Sequence, residues 1–398
     1  MSRWILLPMT GEILDASLLR GERIANLRDL FGLSQEDLKE ALGVSQGFLS
    51  RVERGDKPLS LALAQGISSQ YRVPLTFFSV LPSPYDSGPV TFRRKSRSTV
   101  REERRVRELY TEASRLFRHL SVESGYTGSR LPNASEHDGD PELCAMALRR
   151  ADGLGPDEPV KNLTRLLERQ GVGVISGLDP AASSRADHDG VSRPSVSNKR
   201  PLVATVGHLP GEVQRLTIGH EVGHLVFDTS LPGQIRSTRS AEEARAFRFA
   251  AAVLLPATVA TGGVSDSLTL HGYLRIKADY GISVGAIVRR ARDLGAISAA
   301  RYRSLNIQIS SQGWRVSEPV PVAAEKPLLL KQALEHVYGR SASIRAAEAV
   351  GTVPSFVAWW ANPELDDARE LAKPNVFDLS DFRERRGRSE VTRPENRR

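Results

Sequence analysis

Two histidines four residues apart, His220 and His224, enclose Glu221 in the string His-Glu-Val-Gly-His. On a helix such residues lie one turn apart on one face, so both imidazoles can reach a single Zn2+. Glu221 follows the first histidine and points beside the ion, where a carboxylate can take a proton from bound water. Zinc lowers the pKa of that water to about 7, making hydroxide available at neutral pH. The flanking Leu216, Ile218, Leu225, Val226 and Phe227 suit a buried helix over about 212–227.

A third ligand is needed. The next helical run, 241–255, ends before Pro256 and carries Glu242 and Glu243 in its first turn. Ser240-Ala-Glu-Glu243 is also a capping box, which would account for Glu243 without a metal. At about 100° per residue, Glu243 lies opposite the polar stripe of Arg245 and Arg248, in line with Phe247, Ala250 and Leu254. Glu242 lies to the side. A carboxylate on the core-facing line needs a partner, so Glu243 is the expected third ligand. The remaining histidines have no partner at ligand spacing; His208, just upstream of the metal helix, is a candidate transition-state donor. The single cysteine, Cys144, excludes a disulfide framework and a thiolate zinc site, and it sits on an apolar helix face as core packing. Trp359-Trp360 also suits a core better than a ligand platform.

A second constellation lies near the start of the chain. Ser34 opens Ser-Gln-Glu-Asp-Leu-Lys-Glu-Ala-Leu, Gly43 allows a sharp turn, and Ser45 caps a helix from Gln46 to Glu53. Leu38, Ala41 and Leu42 give the first helix an inward face, and Phe48, Leu49 and Val52 anchor the second. Gln46, Ser50 and Arg51 are left outward, where Gln suits adenine and Arg suits guanine or phosphate in a major groove. Gln35, opening the first helix, can meet a phosphate. A three-helix packing unit that binds no DNA is the bland alternative.

These sites sit within 398 residues, enough for two to three domains at about 100–200 residues each. The 55 Lys and Arg against 47 Asp and Glu leave a net charge of +8, too small alone to argue for nucleic acid. Ten basic residues nevertheless fall between Arg93 and Arg118, where they could brace a DNA backbone. With 40% apolar and 26% charged residues, wholesale disorder is excluded. No signal-peptide core follows Met1, and no run reaches the ~18–20 apolar residues that span a bilayer. A soluble cytoplasmic protein without a membrane partner is expected.

Periodicity predicts short helices over 17–80, a charged helix over 98–124, helices over 141–170, and strands at 172–175 and 202–206 separated by a polar loop. Three short helical segments follow over 267–305, and 327–362 is mostly helical. The expected class is mainly α with a small β-sheet (α+β), led by an all-α helix-turn-helix domain. The expected domains are 17–80 for the helix-turn-helix, 81–140 for a linker with the charged helix, and 141–260 for the metal-binding domain. A helical subdomain at 261–373 and a weakly ordered basic tail at 374–398 complete the chain.

The string from Ser34 to Gly55, with its Ser-Gln-x-x-Leu opening and Ser-Arg-x-Glu-x-Gly close, resembles the XRE (Cro/CI-type) repressor family. Gly47 stands where that family usually carries a contacting side chain. Ile218-Gly-His-Glu-Val-Gly-His-Leu-Val together with Glu243-x-x-Ala-Phe-x-Phe-Ala-x-x-x-Leu-Leu-Pro256 resembles the ImmA/IrrE metallopeptidase family. That resemblance implies a gluzincin-like domain with zinc on His220, His224 and Glu243. In many relatives the position of Phe247 is Asn or Asp, which orients a ligand. Together the two imply a transcriptional regulator that binds operator double-stranded DNA as a homodimer. They also imply zinc-dependent cleavage of a repressor-type protein, itself or a partner, in a stress response or in mobile-element transfer. The alternative is a non-enzymatic regulator whose peptidase fold senses a ligand or mediates dimerisation. A third reading, an antitoxin-like partner of a toxin, has no internal mark in the chain.

Overall fold

A computed structural model describes residues 16–86, 89–94, 99–182, 188–230 and 240–362. Among the described residues, 16–81 and 347–354 form one compact unit, and those from 82 to 346 and from 355 to 362 form another.

In the first unit, small polar caps set the helix starts. The helices are α1 (Glu22–Phe31), α2 (Gln35–Leu42), α3 (Gln46–Glu53) and α4 (Leu61–Tyr71). Ser34 Oγ accepts from the Asp37 N–H at 3.0 Å while Asp37 accepts from the Ser34 N–H at 2.7 Å, a reciprocal box. Ser45 and Ser60 cap α3 and α4 with a single bond each, accepting from the Phe48 and Leu63 N–H groups at 3.3 Å. Gly43 turns the chain between α2 and α3 at φ 63°, a conformation that costs glycine little. Ile24, Leu27, Leu38, Leu49, Val52 and Ile67 are fully buried between the helices. Phe48 is only half-buried, with the Lys57 ammonium 4.4 Å above its ring. Glu53 ties the unit together, accepting from Arg28 at 2.7 and 3.1 Å and from Gln35 at 2.8 Å.

The second unit is built on a sheet of β1 (Thr91–Arg94), β2 (Gly173–Ile175), β3 (His188–Ser192) and β4 (Leu202–Thr205). The strand order is β1-β3-β4-β2; β2 runs parallel to β4, and the other pairs are antiparallel. The predicted strands at 172–175 and 202–206 are β2 and β4, whereas β1 and β3 arise in segments that read as polar. Helix α5 (Val100–Glu123), assigned from sequence to a linker, is built into this unit. Its Tyr110 hydroxyl donates to the Leu202 carbonyl at 2.7 Å, and Arg105 holds Asp179 through two bonds of 2.8 Å.

The basic run from Arg93 therefore divides. Arg93 and Arg94 lie in β1, Arg105 and Arg115 pair with acids of the same unit, and Arg118 stacks 4.5 Å over Tyr85. Arg105, Arg115 and Arg118 are thus engaged within the unit. Lys95, Arg97 and the basic tail lie outside the described residues.

Of helices α6 (Pro141–Ala151), α7 (Leu163–Arg169), α8 (Gly211–Phe227) and α9 (Ala241–Leu254), α7 and α8 pack against the sheet, α9 packs on α8, and α6 packs on α9. They are followed by α10 (Ala257–Gly262), α11 (Tyr273–Tyr280), α12 (Val284–Asp293) and α13 (Ala299–Ser311). One apolar core runs through Cys144, Ile218, Val222, Phe249, Ile287 and Leu305, so the helices after α9 share the core of α8 and α9. Two buried ionic knots hold α8. Arg215 meets Glu325 at 2.7 Å, while Glu325 also accepts from the first N–H groups of α7 at 3.0 and 2.7 Å. Lys277, fully buried, meets Glu212 at 3.0 Å and Glu318 at 2.9 Å.

Beyond lie α14 (Leu329–Tyr338), α15 (Ala342–Val350) and α16 (Pro354–Ala361). The indole N–H groups of Trp359 and Trp360 donate to the carbonyls of Gly177 and Leu178 at 2.5 and 2.9 Å, a core role. The architecture is mainly α with one small sheet, as expected, and no helix among the described residues is long and apolar enough to cross a membrane.

Candidate functional site

α8 and α9 approach closely because the facing residues are small. A Cβ at Gly223 would sit 2.8 Å from the Ala246 Cα, and one at Gly219 would sit 3.1 Å from the Ala250 Cβ. An alanine at position 219 would therefore press on α9. This approach brings Glu243, from the first turn of α9, over the face of α8 that carries both histidines.

One ligand atom from each of His220, His224 and Glu243 falls within a 4.8 Å cluster; Glu242 is not among them. The two Nε2 atoms are 3.1 Å apart, and the Glu243 oxygens lie 3.3 Å from His220 and 3.4 Å from His224. Tetrahedral ligands at about 2.0–2.2 Å from one ion lie roughly 3.3–3.6 Å apart, so two nitrogens and a carboxylate at these separations fit a single divalent ion. His224 is fully buried, whereas His220 and Glu243 are partly open on one side.

The metal-free electrostatics have the same origin. Burial opposes a charge on His224, yet its hydrogen bonds to Asp228 and Glu243 carry its pKa up to about 10. Burial also works against a charged Glu243, but hydrogen bonds to both histidines hold its carboxyl well below the usual range. Glu221 is pushed up by burial, with the two histidines offsetting part of the rise.

His224 and Glu221 each have a holder that the sequence did not reveal. His224 Nδ1 lies 2.6 Å from Asp228 Oδ2, and the other Asp228 oxygen accepts from Arg245. An imidazole that donates from Nδ1 keeps its Nε2 lone pair for a metal. The signal was available, since His224 and Asp228 are four residues apart at the end of one helix. Phe247, in α9, lies 3.6 Å beneath the Arg289 guanidinium. Glu221 is held from the sheet: Ser192 Oγ donates to its Oε2 at 2.6 Å, and Thr91 Oγ1 lies 3.3 Å from the same oxygen. Nothing in the local sequence of Thr91 or Ser192 announces that contact, which depends on sheet pairing. His208 packs edge-on against Trp359 with centroids 5.6 Å apart.

On the first unit, Gln46 and Arg51 are exposed on α3, and Ser50 is half-buried, accepting from Arg54 at 2.8 Å. Gln35, opening α2, donates one of its two amide N–H groups to Glu53 at 2.8 Å, which leaves the other as a donor.

Comparison with known families agrees with this division of chemistry. Residues 24–78 match the helix-turn-helix family model, and residues 168–292 match a peptidase family described as the IrrE N-terminal-like domain. No curated protein and no solved structure matches the chain at a significant level.

Proposed function

We propose that this chain is a transcriptional regulator that reads operator DNA through α3 and cleaves a repressor-type protein, itself or a partner, at a zinc centre in its second unit. The observation that carries the reading is the convergence of His220, His224 and Glu243 beside a buried Glu221. The helix-turn-helix match supports DNA binding, and the peptidase-family match supports a protein substrate. The regulator acts in the cytoplasm, where its DNA lies, as a homodimer that sets two recognition helices on two half-sites.

His220, His224 and Glu243 would hold the ion. When bound, Zn2+ supplies Lewis-acid polarisation and a lowered pKa for water. Asp228 fixes the His224 ring through Nδ1, leaving Nε2 as the atom that would hold the ion, and Arg245 holds Asp228 in turn. Glu221 takes a proton from the attacking water and delivers it to the leaving amine nitrogen, a role helped by burial that raises its proton affinity.

Glu221→Gln tests this directly. The variant should bind zinc as the wild type does and yield no specific fragments by mass spectrometry when incubated alone or with a candidate repressor. Fragments equal to those of the wild type would refute the mechanism.

A further inference from the structure

β1 is the edge strand of the sheet whose ladder is irregular. It has four residues, and its ladder with β3 slips between Phe92 and Arg94. A bulge disrupts the ladder locally, and an edge strand is held by hydrogen bonds on one side only. Its contacts nevertheless reach the centre of the chemistry. Thr91 pairs across the ladder with Ser192, and the two hydroxyl oxygens are 2.6 Å apart. Because Ser192 donates to Glu221, the shortest contacts form a relay from Thr91 through Ser192 to the carboxylate. Both hydroxyl-bearing residues and Glu221 are buried.

β3 itself lies directly over α8. A Cβ at Gly190 would be 2.7 Å from Thr217 and 2.8 Å from Glu221. An extended peptide adding to β3 would therefore run beside Glu221 and gain main-chain bonds along its length. A peptide adding outside β1 would lie about 4.8 Å further away, one strand spacing too far. The position beside β3 is already filled by this chain's own residues 91–94.

The geometry points to β1 as a self-strap: it occupies the β3 edge that a substrate strand would use and, through Thr91, ties down Glu221. Resting on the reading of Glu221 as the proton-handling group, it makes the peptidase unit self-inhibited. Departure of the strap frees the edge and takes the Thr91 hydroxyl away from the carboxylate, which keeps its bond to Ser192 on β3. Its rightful competitor is an extended peptide, and the segment that yields to it is the one leading out of the helix-turn-helix in sequence.

Hydrogen exchange on the full-length, metal-free chain tests this independently of any hydrolysis. Peptides covering 89–94 and 188–192 should exchange together and faster than those covering β4 and α8. Thr91→Val keeps the side-chain shape but removes the hydroxyl. It should speed both segments by about three- to tenfold, the range of one hydrogen bond, and leave β4 and α8 unchanged. Ser192→Ala should do the same from the partner strand. A labelled peptide with the sequence of residues 89–94 should bind Thr91→Val more tightly than wild type by the same factor, since apparent affinity scales with the open fraction. Exchange of 89–94 only in step with β4 and α8 would overturn the proposal, as would peptide binding that is absent or equal in both proteins. Because neither readout needs metal or turnover, failure of the peptidase reading would leave both results standing.

Discussion

Gly47 and Gly223 each lie within the helix that carries their unit's chemistry, and their surroundings are opposite. A Cβ at Gly47 would meet nothing within 4 Å, whereas one at Gly223 would meet the Ala246 Cα at 2.8 Å and its carbonyl oxygen at 3.0 Å. On α3 the missing side chain leaves open surface beside Gln46 and Arg51. On α8 it lets a neighbouring helix come close enough for Glu243 to join the two histidines. A DNA reader keeps its chemistry on a face completed by its partner, while a metal centre is completed from within by packing. The first can be altered cheaply, and the second cannot.

The strongest way to break this contrast is to remove a buried charge from the second unit. Lys277→Met leaves Glu212 and Glu318 without their shared cation and should cost about 3–5 kcal/mol. The described tryptophans, Trp314, Trp359 and Trp360, all lie in this unit, so their fluorescence during denaturation follows it. A loss under about 1 kcal/mol would mean that the packing tolerates ionic repair better than the contrast allows. Asp228→Asn probes the support of a single ligand. It should weaken zinc binding about 10–100-fold in a chelator competition, because a neutral amide holds the imidazole less firmly. Gly223→Ala should cost about 1–3 kcal/mol in the same tryptophan-monitored unfolding as α8 is pushed off α9. Smallest and opposite in sign, Gly47→Ala should stabilise the first unit by about 0.5–1 kcal/mol, measured by circular dichroism, because it replaces glycine within a helix at no steric cost. A destabilising result there would show that α3 is less open than its surroundings imply.

The elements that reveal themselves locally were legible in the sequence. The caps at Ser34, Ser45 and Ser60 and the turn at Gly43 mark α2, α3 and α4 through chemistry confined to a few residues. The spacing of His220 and His224 marks α8, and helical phase singles out Glu243 over Glu242. β1 and β3 escaped because they break the alternation that announces a half-buried strand. Thr91 and Ser192 are polar on an inward face, where their partner is Glu221 rather than an apolar core. The place of α5 was hidden for a related reason. Its arginines suggest a solvated linker, yet Arg105 spends its charge on Asp179, and Tyr110 reaches β4, far away in the chain.

Glu325 has a bearing on where this protein can be cut. It lies well past residue 292, where the peptidase-family match ends, and it supplies both the counter-charge of Arg215 and the acceptors for the opening N–H groups of α7. Expressing 168–292 alone would strand a guanidinium in an apolar interior and also discard Thr91, Tyr110 and the first turn of α7. The smallest autonomous fragment therefore has to begin before β1 and run beyond Glu325. The boundaries of recognisable ancestry are narrower than the boundaries of independent folding.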